Sequence, residues 1–156
     1  MNWTKKYITD IIEDLAEENV IACRALFRVT RIDFTTNVPT LAVSLSEKPT
    51  LCINQKFLQE YAHSENDIKC LLLHEFLHVM LLHTEKYQLS NPLLNIALDA
   101  IINSIIHRVY GLSLSGFFNR FYAGTGVDCL LRPQDPAINS SKEINWKEIH
   151  DEIYRG

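Results

Sequence analysis

The sequence predicts an α+β fold, and three observations carry that prediction. The chain opens on an amphipathic helical segment. Two short alternating apolar segments follow, joined by a tight turn. Two long and strongly apolar helical segments come after them. Such a pattern makes a small antiparallel or mixed sheet packed on helices.

The chain has 156 residues, enough for a single domain spanning 1–156 to bury a core without staples. It is 47% hydrophobic and 22% charged, as soluble globular proteins are. A formal net charge of -4 provides no basic footprint, which argues against nucleic acid or an anionic membrane as a partner. Cys23, Cys52, Cys70 and Cys129 form no CxxC pair and read as small buried hydrophobes. The opening MNWTKKYITDIIEDLAEE lacks the apolar stretch of a signal peptide, and no run suits a membrane span, so a cytoplasmic location is expected.

Each element has a local reason. Ile8, Ile11, Ile12, Leu15 and Ala16 recur at helical steps, which predicts a helix over 4–22. Residues 25–34 read as strand-like, with a helix running on to Arg28 as the alternative. In TLAVSLS, Leu41, Val43 and Leu45 share one face, and TLCIN (50–54) is a second strand after the Glu47-Lys48-Pro49 turn, so the two predict a hairpin. A short helix is expected over 56–62. Ser64 stands three residues before Asp67 as a capping box for the apolar helix NDIKCLLLHEFLHVMLLHTEKY. Pro92 suits the first turn of the next apolar helix, and Gly111 suits its end. Residues 112–141, richer in Gly, Ser and Pro, read as loop, and INWKEIHDEIYRG reads as a short amphipathic helix.

The chemistry lies in HEFLH, residues 74–78, which fits H-E-x-x-H. Histidines at i and i+4 lie on one helical face, so both imidazoles can reach one tetrahedral ion. Glu75 sits about 100° round the helix from His74, where its carboxylate can reach a metal-bound water as general base. Two imidazoles with a carboxylate suit Zn2+. Two histidines and a glutamate buried among leucines cost several kcal/mol unless satisfied, and a metal satisfies them. The bland alternative is a pair of hydrogen-bonded core histidines.

A catalytic zinc needs a third protein ligand, and three residues compete for the role. His83 lies about 140° from His78 on a continuous helix, the wrong face, and reads as an outer-sphere, substrate-facing or structural residue. Cys70 shares the face of His74, but three ligands in a row on one helix fit a tetrahedron poorly. Asp99 sits mid-helix among Ile96, Ala97, Leu98, Ala100, Ile101 and Ile102, where a carboxylate needs a cation or several donors, and is the favoured ligand. Asn95 and Asn103, one turn to either side, could orient it. His107 continues that stripe and reads as a surface or helix-end histidine.

The stretches PTLAVSLSEKPTLCINQKFLQEY, CLLLHEFLHVMLLHT and NIALDAIINSII resemble a bacterial metallopeptidase domain, commonly followed by a von Willebrand A-like domain. The resemblance covers roughly residues 20–110, with WKEIHDEIY a weaker echo. It implies a zincin-like fold, a strand ending in Asn54, a helix carrying His74, Glu75, His78 and His83, and a helix bearing Asp99 and Asn103. In zincins a strand edge beside the active-site helix binds extended peptide, which makes Leu51, Cys52, Ile53 and Asn54 the substrate strand here. Against the pattern, no von Willebrand A-like partner is expected here, and Leu94 stands where an aromatic is usual.

The expected function is therefore that of a zinc metallopeptidase acting on a peptide or protein. His83, Tyr87, Tyr110 and Tyr122 are candidates to steady the oxyanion. The competing reading is a non-catalytic, zinc-stabilised binding or regulatory module, whose ion would be closed by Cys70 or His83 as a fourth ligand.

Overall fold

The computed structural model describes residues 2–44, 47–83, 91–133 and 145–155. The chain divides into two compact units, Met1–Gln88 and Leu89–Gly156.

In the first unit the Thr4 hydroxyl accepts the Tyr7 amide and opens α1 (Lys5–Glu18), whose buried face is Ile8, Ile11, Ile12 and Leu15. The helix expected over 4–22 breaks at Asn19. There the backbone is extended, and Oδ1 accepts the Ile21 and Ala22 amides to start α2 (Val20–Leu26). An asparagine side chain competes for backbone donors, so it favours a cap over a helix interior. The strand expected over 25–34 shrinks to β1 (Arg31–Phe34).

The predicted hairpin is present. β2 (Leu41–Ser44) and β3 (Thr50–Ile53) are antiparallel, with Leu41 opposite Ile53 and Val43 opposite Leu51. All four of these side chains are buried, so the alternation that predicts the strands also sets their register. β1 joins β3 in parallel, and the strand order is β1-β3-β2.

That order corrects the substrate-strand assignment. Leu51, Cys52 and Ile53 lie on the central strand, bonded to β1 on one side and β2 on the other. A strand paired on both edges has no backbone groups left for an added peptide. Asn54 is a structural clamp. Its Oδ1 accepts the Lys56 and Phe57 amides to cap α3 (Gln55–Tyr61), and its Nδ2 donates to the Val38 and Pro39 carbonyls at 2.9 and 3.2 Å.

The long apolar helix is α4 (Glu65–Met80), which packs on α1, α2 and β2. Trp3 is fully buried, and its indole N–H donates to the Ala62 carbonyl at 2.8 Å just before α4 begins.

The second unit begins with α5 (Pro92–Tyr110), capped by Asn91, carrying Pro92 in its first turn and ending on Gly111. Residues 112–121, expected as loop, form α6 (Leu112–Phe121), and α7 (Asp128–Leu131) follows. Gly116 with Ser113 and Ser115, all weak helix formers, would leave this stretch marginal alone; burial of Ser115, Phe117 and Phe118 decides it. The expected C-terminal helix is α8 (Trp146–Arg155), and the rest of the expected loop, 134–141, lies outside the described residues. Among the described residues no helix is long and apolar enough to cross a membrane.

Candidate metal centre

α4 is anchored at its start by the predicted capping box. Ser64 Oγ accepts the Asp67 amide, and the Asp67 carboxylate accepts the amides of His63 and Ser64 at 2.7 and 3.2 Å. From there Ile68, Leu72, Leu73, Phe76 and Leu77 are buried, so the helix is held on several sides. His74, Glu75 and His78 are half-buried.

The i, i+4 spacing does what helical geometry requires. His74 Nε2 and His78 Nε2 stand 3.1 Å apart, with ring centroids 4.8 Å apart and planes at 60°. Two nitrogens on one tetrahedral zinc, each about 2.0–2.1 Å from it, stand roughly 3.3 Å apart. The two imidazoles therefore fit adjacent corners of one coordination sphere.

His83 departs from the expectation of a remote face. α4 ends at Met80, and Leu82 takes a left-handed conformation with φ 58°. This turn carries His83 back to His78, with Nδ1 facing Nδ1 at 3.2 Å and ring planes at 75°. His83 is only 7% exposed. A leucine in that conformation costs about 1–2 kcal/mol, since its Cβ crowds the following carbonyl. No sequence signal announces the turn, because Val79 to Leu82 reads as uninterrupted apolar helix.

Cys70 is fully buried and in no disulfide, as a packed core cysteine is. Asp99 and Asn95 are half-buried on α5, and Asn103 is fully buried. Asn103 Nδ2 donates to the Leu131 carbonyl at 2.8 Å, which ties α5 to α7. His107, expected at a helix end, is half-buried and meets the hydroxyl of the buried Ser115 at 2.8 Å. That hydroxyl donates to the Gly111 carbonyl, so His107 Nδ1–H is the donor to Ser115. Tyr110 and Tyr122 are half-buried in the second unit, and Tyr87 lies outside the described residues.

No protein-family model, curated protein or solved structure matches the chain.

Proposed function

We propose that the protein is a zinc-dependent metallopeptidase in which His74, His78 and Asp99 hold the ion and Glu75 serves as general base. One observation carries the reading: two imidazole Nε2 atoms 3.1 Å apart on a helix that also presents Glu75, the residue after the first histidine. Asp99 completes the donor set by its chemistry, a carboxylate set mid-helix among apolar residues, where it needs a cation or several donors. Two neutral imidazoles and one carboxylate make a set of the kind that catalytic zinc uses, with a coordination position left for substrate.

When bound, zinc polarises a carbonyl and makes water acidic enough to attack near neutral pH. The protein's own residues do the rest. The buried neighbours of α4 fix the two histidine rings. Glu75 takes the proton of the attacking water and returns it to the leaving amine.

The test is Glu75→Gln in the full chain. The variant should retain stoichiometric zinc by metal analysis and lose cleavage of an unfolded protein substrate by at least about 100-fold, the lower end of a general base's contribution. Unchanged cleavage would remove Glu75 from the reaction.

A further inference from the structure

We propose that His83 is a positioning residue that sets the tautomer of His78 and so aims His78 Nε2 at the metal, a role that rests on reading His74 and His78 as ligands. The argument starts from proton counting. His78 Nδ1 and His83 Nδ1 face each other at 3.2 Å, a distance at which two ring nitrogens share one proton. The other nitrogen of His78, Nε2, is the one that faces His74 Nε2. A ligating nitrogen carries no proton, so the single proton of a neutral His78 must sit on Nδ1. It then donates to His83 Nδ1, which requires His83 to be neutral with its own proton on Nε2.

Three features mark this contact as built into the fold. His83 is 7% exposed, so solvent competes little for His78 Nδ1–H. The ring planes cross at 75°, an edge-on arrangement in which the rings do not stack. The backbone reaches this arrangement only by ending α4 at Met80 and passing Leu82 through φ 58°. Had the helix continued, His83 would lie about 140° from His78 round its axis. Metal-bound histidines characteristically donate their second N–H to a fixed acceptor, which holds the ring and raises its basicity, and losing that acceptor weakens metal binding about 10–100-fold.

The experiment compares zinc affinity of the full-length chain, His83→Asn and His83→Phe by competition with a chromophoric chelator. Thermal melts of the zinc-free proteins check folding. Asn keeps an acceptor near the Nδ1 position, while Phe keeps the ring and removes the acceptor. His83→Phe should bind zinc about 10–100-fold more weakly, and His83→Asn should recover most of that loss. Nitrogen-15 NMR of zinc-loaded wild type should show His78 protonated on Nδ1 and metal-bound through Nε2. Equal zinc affinity in all three folded proteins would overturn the role of His83 while leaving the metal reading intact. So would a zinc-loaded His78 bound through Nδ1, or direct zinc ligation by His83. A wild-type chain that takes up no zinc would overturn both readings, and that failure appears before any substitution is made. Should His83→Phe fail to fold, the wild-type NMR measurement decides the matter alone.

Discussion

His74 Nε2 and His78 Nε2 lie 3.1 Å apart on successive turns of α4. Removing either ring leaves a single imidazole there, so His74→Ala and His78→Ala should each weaken zinc binding by more than the ~10–100-fold expected for an outer partner. Because ligand binding to the native state adds stability, chelation of zinc should lower the melting temperature of wild type but not of these variants. Calorimetric titration with zinc, and melts with and without chelator, check both outcomes.

Ser64 and Asp67 satisfy donors at the start of the metal-bearing helix. Ser64→Ala removes the acceptor for the Asp67 amide and should cost about 1 kcal/mol. Equilibrium urea denaturation measures this. The midpoint should fall with little change in slope, because the surface exposed on unfolding is unchanged.

Trp3→Phe keeps an aromatic ring against Tyr7, where the centroids are 5.5 Å apart, but deletes the donor to the buried Ala62 carbonyl. The expected loss is about 1–3 kcal/mol, the range for leaving a buried acceptor unmet, together with some lost ring volume. Urea denaturation again provides the value. A variant as stable as wild type would show that the indole hydrogen bond contributes nothing net.

Gly111 joins α5 to α6 at φ 67°, ψ -168°, a conformation that residues with a Cβ rarely hold. A Cβ placed there would meet nothing within 4 Å, so any penalty is conformational and not steric. Gly111→Ala should lose about 1–3 kcal/mol in a thermal melt.

The Tyr7 hydroxyl donates to the Glu65 carboxylate, and that hydrogen bond holds the phenol above its ordinary value of 10.0. A raised value means that the folded state keeps the proton more tightly than the unfolded chain does. Whatever stability this contributes is fully present below pH 10.0 and fades as pH rises through the folded value. Ultraviolet titration of the phenols should show one late component that Tyr7→Phe removes.

Much of the fold is written in short-range patterns. The buried pairs Leu41–Ile53 and Val43–Leu51 follow from alternation, and the cap at Ser64, the first-turn Pro92 and the end at Gly111 follow from residue type and position. α6 is ambiguous in the sequence, because Gly116 and its neighbouring serines argue against helix while the burial of Phe117 and Phe118 argues for it. Only packing settles such a contest, since propensities differ by less than a buried aromatic ring contributes.

The sequence alone determined the pairing of His74 with His78, because four residues bring a side chain back to the same helical face whatever surrounds it. It also determined that Glu75 accompanies them. Tertiary structure decided that β3 is the central strand, which takes Leu51 to Ile53 out of reach of an added peptide. It decided as well that α4 stops at Met80 and that Leu82 turns His83 back onto His78. The physical reason is range. Helical spacing is a property of neighbouring residues, whereas strand order and a left-handed leucine are set by distant parts of the chain that no local pattern encodes.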